Sequence, residues 1–233
     1  METFLIVLLA TTLPWFGDCF SLKLVDLTYS YDNVTTSTQG CIPFRFETGE
    51  FLGTYMDAPR HFKNDALAID EIHTDRFFVT GILIDATSET GTNSAYKLPE
   101  EKSIEWERLH GVMPDNSLVF VNYGWAKQFY PNRESYVGPS KDDFQFPGLS
   151  QEAALWIAGT KRIVGVAVDT PSVDQGSNRE AHTILAENNI YTIQNVNLTE
   201  PLPHRFQAIA MPMKQQNGNA APVRVAAISV DDD

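Results

Sequence analysis

The sequence predicts a single domain of the α/β class. A chain of 233 residues, of which 43% are hydrophobic and 20% charged, is long enough to bury a large core and has the composition of a folded globular protein. Short β-branched segments alternate along it with segments of helical polarity, and this alternation is typical of a sheet packed against helices. No stretch after the N-terminus has the composition of a linker or repeat, so one domain is expected.

Individual elements follow from local patterns. Short apolar segments bounded by turn residues predict buried strands. They span residues 79–85, 118–122, 162–168, 191–193, 206–211 and 223–230. Helical polarity predicts helices over 99–109, 151–158 and 180–188, with Ser150 as the N-cap and Gly159 as the end of the second. The residues 215–221 are expected to form a flexible loop.

The N-terminal residues predict a signal peptide. The apolar run 4–13 is too short to span a bilayer and is followed by Pro14, as in the h-region of a signal peptide. Small residues before Phe20 offer a cleavage position, which predicts a signal peptide over 1–19 and a domain over 20–233. A buried N-terminal element is the alternative, and it is disfavoured because the polar, strand-like segment 22–27 starts immediately afterwards.

Two acceptor sequons agree with passage through the secretory route. They begin at Asn33 and Asn197, which are the predicted N-glycosylation sites of an extracellular protein. Cysteine occurs only at Cys19 and Cys41. Removal of Cys19 with the signal peptide leaves Cys41 either as a small buried hydrophobe or as an intermolecular link. The fold therefore depends on its core and not on disulfides.

The charge balance limits the partners. A net charge of −13 repels nucleic acid and anionic lipid, so neither is an expected partner. Without the signal peptide, no membrane-spanning segment is expected. An acidic surface attracts cations or basic partners, mineral ions included, although solubility is its usual explanation.

The segment FLGTYMDAPRHF at 51–62 carries the clearest functional signal. It resembles the signature H-x-G-T-H-x-D-x-P-x-H of the cyclase family, which includes bacterial-type kynurenine formamidases and isatin hydrolases. Five signature positions match: Gly53, Thr54, Asp57, Pro59 and His61. Phe51 and Tyr55 stand where the family has histidines.

The resemblance covers roughly residues 22–229. Further segments resemble the family's opening strand, the start of one of its helices, its D-T-x-S-x-D loop and its closing strands. These segments are 25–28, 122–125, 146–150, 168–174, 181–182, 194–195, 202–203 and 221–224. The resemblance implies a central, barrel-like mixed β-sheet flanked by helices, and homo-oligomers of the kind common in the family.

The resemblance also implies which residues form the site. In active members of the family, signature histidines and the aspartate hold a divalent ion, commonly zinc or manganese, and the final signature histidine moves protons. On this chain it implies Asp57 and His182 as retained metal ligands and His61 as the proton-transfer residue. Each also has a structural interpretation: a hydrogen bond to the Gly-Thr turn, a helix cap, or ordinary packing.

Three ligand positions have lost their donors. The degenerate positions are Phe51, Tyr55 and Gln194. Phenylalanine has no donor atom, the tyrosine phenol is normally protonated, and the glutamine amide is neutral. No cofactor is therefore expected, with weakly bound Zn or Mn as the alternative. Phe51 and Tyr55 are expected to fill the former ion cavity, and strand alternation predicts that Glu50 points away from it.

Three functions fit these observations. The first is a secreted pseudoenzyme that binds a small molecule or an extracellular matrix component. The second is a surviving metal-dependent hydrolase of C-N bonds, of the arylformamidase type. The third is an acidic matrix protein that associates with cations through surface carboxylates. The loss of ligands favours the first.

Overall fold

The computed structural model describes residues 22–27, 49–140 and 143–230, and it leaves out the side chains of 22–26 and 229–230. The predicted signal peptide over 1–19, Cys41 and the sequon at Asn33 lie outside these ranges. Among the described residues, no helix is both long and apolar enough to cross a membrane.

Ten strands form the sheets in the described ranges. They are β1 (Leu22–Asp26), β2 (Tyr55–Asp57), β3 (Phe78–Asp85), β4 (Lys97–Leu98), β5 (Ser117–Asn122), β6 (Gly148–Leu149), β7 (Ile163–Val168), β8 (Tyr191–Gln194), β9 (Arg205–Pro212) and β10 (Ala220–Val230). The main sheet has the order β1-β10-β2-β8-β7-β5-β3-β9, and β9 also pairs with β10. That last pairing closes seven strands into a barrel, with β1 added outside the ring. The predicted barrel-like sheet is confirmed.

The barrel is mixed, also as predicted. Strands β3, β5, β7 and β8 lie side by side in that order and run parallel to one another. Strands β2, β9 and β10 pair antiparallel and complete the ring. Because parallel strands need crossover connections, helices cover the outside of this part of the barrel.

Six α-helices accompany the strands in the part of the chain that the structure describes. They are α1 (Thr87–Thr90), α2 (Glu100–His110), α3 (Trp125–Phe129), α4 (Arg133–Val137), α5 (Gln151–Thr160) and α6 (Glu180–Glu187). The Ser150 side chain caps α5 by accepting from the Ala153 backbone N–H, as predicted. The prediction that Gly159 ends this helix is wrong. The chain leaves the helix at Lys161, which takes the left-handed conformation at φ 58° and bonds Asn188 through its ammonium.

Strand β5 separates two apolar clusters. Its alternate residues Leu118 and Phe120 belong to the cluster inside the barrel, whereas Val119 and Val121 belong to the cluster between barrel and helices. All four are fully buried. A strand buried on both faces has a continuous apolar sequence, which explains why the sequence located β5 so well.

The inside of the barrel is narrow at Gly165 on β7. A Cβ added there would lie 2.2 Å from the Tyr191 ring. We expect Gly165→Ala to lower the free energy of unfolding by about 1–3 kcal/mol, because the ring must move within a packed core. Gly159→Ala is the matched control: it meets no atom within 4 Å, and it should stabilise its helix by about 0.5–1 kcal/mol. If the two variants showed the same change in the free energy of unfolding in urea, the packing argument would be contradicted.

Candidate functional site

The candidate site lies at one end of the barrel, where β2 meets β8 and α6 crosses above them. In the antiparallel register, Tyr55 faces Gln194 and Asp57 faces Thr192. His182 enters from the first turn of α6. Asp57, His182 and Gln194 are all buried, with no more than 5% of any of them exposed. The fold thus brings together three of the site positions that the sequence predicted.

The Gln194 amide lies between the two retained ligand residues. Its Nε2 atom is 2.9 Å from Asp57 Oδ2 and 3.1 Å from His182 Nε2. It also donates to Thr192 Oγ1 at 2.7 Å. This orientation, assigned from the hydrogen-bond network, keeps the amide oxygen away from the Asp57 carboxylate. The amide nitrogen therefore occupies the space that a cation shared by Asp57 and His182 would need.

The donor set does not fit the divalent ion that the family resemblance implies. An amide NH₂ group has donors and no lone pair for a metal, so Gln194 offers the wrong atom at this point. Within the described residues, no three His, Cys, Asp or Glu side chains are grouped so that they could hold an ion. Two donors remain, Asp57 and His182, against the three or four protein ligands of zinc sites.

Asp174 orients His182. Its Oδ2 atom lies 2.5 Å from His182 Nδ1, and its Oδ1 atom accepts from the Ala181 backbone N–H at 2.7 Å. A carboxylate in this position satisfies free N–H groups at the start of α6 and favours its dipole. Phe62 stacks on the imidazole with ring centroids 4.2 Å apart. Asp174 therefore holds the first turn of α6, whose N-cap residue Arg179 makes no side-chain capping bond, and His182 is a packed and hydrogen-bonded residue.

The environment of His182 favours its charged form. Burial alone lowers the pKa of His182, but hydrogen bonds and charge from Asp174 and Asp57 outweigh it and raise the pKa above the ordinary 6.5. The protonated ring directs Nε2–H toward Asp57 Oδ2, 3.5 Å away.

This pKa shift predicts a pH dependence of stability. Because the folded chain binds the His182 proton more tightly than the unfolded chain, the stabilisation is complete below pH 6.5 and is lost as pH rises through the raised pKa. Each pKa unit contributes about 1.4 kcal/mol. We expect the free energy of unfolding of His182→Gln, measured in urea, to show no such decrease above pH 6.5. His73→Gln, at a histidine whose side chain is 82% exposed, should keep the wild-type slope. An unchanged slope for His182→Gln would contradict the assignment.

Phe51 and Tyr55 line a cavity and do not fill it. Phe51 is 44% exposed and packs edge-on to Tyr55 at 5.7 Å. The Tyr55 hydroxyl donates to the Pro171 carbonyl at 3.4 Å, and burial, followed by the charge of Asp57, raises the Tyr55 pKa well above 10.0. Both rings therefore leave a cavity open beside Asp57.

Glu50 points away from the site, as expected, but for a different reason. Residues 50–54 form bends and not a strand, so strand alternation does not apply to them. Glu50 instead accepts a hydrogen bond from Gln215 at 2.7 Å. The rest of the signature turn is held by Asn195, which has a positive φ of 57° and donates to the Gly53 carbonyl at 2.7 Å. The sequence marked Asn195 only as part of a resembling segment.

The cavity has a volume of about 280 Å³ and an aromatic wall. His61 lies on it, 5.0 Å from the Phe51 ring and 4.5 Å from the Phe62 ring. Its lining residues come from the signature turn, the end of α4, the segment before β6, the loop after β7 and α6. They include Phe51, Tyr55, Asp57, His61, Phe62, Phe144, Phe146, Pro171, Arg179 and His182.

The remaining predicted residues are placed as follows. The sequon residue Asn197 is half-buried, and its side-chain oxygen accepts from the Thr199 hydroxyl at 2.7 Å, so its glycosylation stays a prediction. His73 bonds Asp75 on the surface. His110 and His204 stack at 4.0 Å beside a second cavity of about 340 Å³.

A closed mixed barrel with this signature turn beside β8 defines a member of the cyclase-type hydrolase fold. The model of the Cyclase family matches residues 25–175, and the chain belongs to that family. It is similar to the kynurenine formamidase of Salinibacter ruber, with 26% identity over 179 residues that cover 74% of this chain and 73% of the relative. It is also similar to the isatin hydrolase of Roseibium aggregatum, at 23% identity over 192 residues, 77% of this chain and 72% of the relative.

Solved structures agree in fold. Isatin hydrolase A of Ralstonia solanacearum superposes with a TM-score of 0.79 at 25% identity, covering 89% of this chain and 92% of that one. A predicted metal-dependent hydrolase of Bacillus stearothermophilus superposes at 0.67 with 18% identity, covering 89% and 98%, and shows the fold alone. The named relatives of this chain are hydrolases.

Proposed function

We propose that this protein is a secreted pseudoenzyme of the Cyclase family, which binds a small molecule in its cavity without a resident metal ion. One observation carries the proposal: the Gln194 amide nitrogen lies 2.9 Å from Asp57 and 3.1 Å from His182, where a shared ion would need to be. The named relatives of the chain are hydrolases, and the proposal is that this chain keeps their pocket and has lost their chemistry.

The size of the ligand loss supports this interpretation. A structural four-ligand zinc site contributes about 10–16 kcal/mol, and changes next to the ligands alone weaken metal sites by about 10- to 100-fold. Here two ligand positions carry aromatic rings and a third carries an amide that donates. Asp57, His182 and Gln194 instead contact one another through Asp57 Oδ2 and the amide nitrogen, so each buried charge keeps one partner without an ion.

Metal analysis with activity assays tests the proposal. Protein purified from a secretory host is expected to carry far less than one zinc or manganese ion per chain, and to show no chelator-sensitive hydrolysis of N-formylkynurenine or isatin. Near-stoichiometric metal, with turnover that a chelator abolishes and zinc restores, would overturn it.

Export is the second part of the proposal and has its own test. The apolar run 4–13 and the sequons at Asn33 and Asn197 support it. Expression in an insect or mammalian host should release the protein into the medium with an N-terminus near Phe20. Peptide N-glycosidase should then lower its mass. Retention of intact residues 1–19 inside the cell would contradict export.

The same material, analysed by sedimentation, shows whether the chain forms the homo-oligomers that the family resemblance implies.

One observation favours the alternative, a metal-dependent hydrolase of C-N bonds. Asp57 Oδ1 and Gln194 Oε1 are buried, and neither has a hydrogen-bond partner among the described residues. Two oxygens of this kind, with His61 nearby on the cavity wall, are a partial ligand set for a hard cation. Weak binding of Mn²⁺ with slow hydrolysis, both lost in Asp57→Asn, would favour this alternative over the pseudoenzyme.

A further inference from the structure

The cavity beside Asp57 has an unbroken aromatic wall. Tyr55 contacts Phe51, Phe51 contacts His61, and His61 contacts Phe62, with ring centroids 5.7, 5.0 and 4.5 Å apart. Phe144 and Phe146 contribute two more rings from the segment before β6, 6.2 Å apart. Phe51 and Phe144 are 44% and 36% exposed, so both keep uncovered ring surface facing solvent.

Asp57 adds a carboxylate to this wall. It lines the cavity, is only 5% exposed, and has one oxygen, Oδ1, with no hydrogen-bond partner among the described residues. Its other oxygen is bonded to Gln194. A carboxylate on the cavity wall attracts a cationic ligand, and a ligand N–H group that reaches it gains a charge-assisted hydrogen bond.

The other charges around the cavity leave this preference in place. The buried Asp174 lies behind His182 and balances its positive charge, with Oδ2 in contact with Nδ1. The Arg179 guanidinium is the remaining cationic group on the cavity lining, and the residue is exposed, so water and salt screen it. Asp57 is therefore the charge that a ligand meets at depth.

We infer that the cavity takes a small organic cation, an ammonium group carried on a compact apolar body. This rests on the proposed function, since it requires that no metal ion occupy the site. Aromatic faces attract cations through their quadrupole, and a carboxylate completes such a site. An anion would be repelled by Asp57, and a neutral molecule would gain the apolar contacts alone. The volume of about 280 Å³ is small for a ligand pocket, which favours a compact molecule.

Calorimetry with three probes of matched size tests the inference. The probes are 2-phenylethylammonium, 2-phenylethanol and phenylacetate, each titrated into the full-length secreted protein with and without a chelator. We expect the ammonium probe to bind about tenfold or more tightly than the alcohol, and phenylacetate to bind most weakly. Chelator should change none of these affinities.

The outcomes separate the two proposals. Equal or tighter binding of phenylacetate, or no preference for the ammonium over the alcohol, overturns the inference and leaves the proposed function standing. Affinities that collapse on adding chelator overturn the proposed function itself. Absence of binding by all three probes overturns the inference.

Variants locate the binding. Asp57→Asn should lose the preference for the ammonium probe and bind it only as well as the alcohol. Asp85→Asn, which removes an acid beside the second cavity, should bind as the wild type does.

Phe51→Leu keeps the test decisive should Asp57→Asn fail to fold, because its exposed ring can be removed without disturbing the core. Phe51→Leu should weaken binding of the ammonium probe about threefold or more. Phe78→Leu, at an exposed ring outside the cavity, should leave that affinity unchanged. Ammonium binding unaffected by Phe51→Leu overturns the inference.

Discussion

The combined substitution of Phe51→His, Tyr55→His and Gln194→Glu is expected to give a chain that binds zinc near stoichiometrically. It returns three donors to the retained Asp57 and His182 and removes the amide nitrogen from the position between them. With zinc at about 100 to 1,000 times its dissociation constant, the free energy of unfolding should rise by about 3–4 kcal/mol, measured in urea with and without the metal.

The matched control for this experiment keeps Gln194. The pair Phe51→His and Tyr55→His adds two imidazoles but leaves the amide in place, so it should bind zinc much more weakly than the triple variant. Without metal, the triple variant should be less stable than the wild type, because the introduced glutamate would set a second carboxylate against Asp57. Failure of the triple variant to bind zinc would show that the surrounding loops no longer support a metal centre.

Replacement of Gln194 by leucine should destabilise the protein by about 3 kcal/mol. The apolar side chain removes the donor to Asp57, the contact with His182 and the bond to Thr192, all in a fully buried position. Loss of one partner of a buried charged group typically costs about 3–5 kcal/mol, and the remaining contact between His182 and Asp57 offsets part of it.

Urea unfolding at neutral pH measures this effect. Gln216→Leu, a chemically identical change at an exposed residue, should alter the free energy of unfolding by about 0.5 kcal/mol or less. A Gln194→Leu protein as stable as the wild type would show that the amide is not what holds the two charged residues together.

Much of the fold was predictable because its strands carry strong local patterns. Strand β5 is apolar on both faces, and α5 begins at a serine whose hydroxyl accepts the expected bond. The end of α5 was missed because the left-handed position falls to Lys161, a residue without the usual preference of glycine for it. Closure of the barrel depends on pairing between β9 and β10, which the resemblance implied and local patterns did not reveal.

The candidate site was predictable as a set of residues but not as a geometry. The signature and the later segments located Asp57, His182 and Gln194, which are separated in sequence by as many as 137 positions. Whether Gln194 meets Asp57 at all depends on the register between β2 and β8, and local sequence does not encode that register. The role of Asp174 was missed for the same reason, since its two bonds depend on how α6 follows its loop.

Strand β10 follows every other barrel strand along the chain, yet it pairs with β1, β2 and β9. A growing polypeptide cannot seal the ring until this segment has left the ribosome, and until then β2 and β9 keep bare backbone edges open to a neighbouring chain. Synthesis is thus the stage at which this protein is most exposed to aggregation. A variant that stops before Ala220 would remain in that vulnerable state permanently.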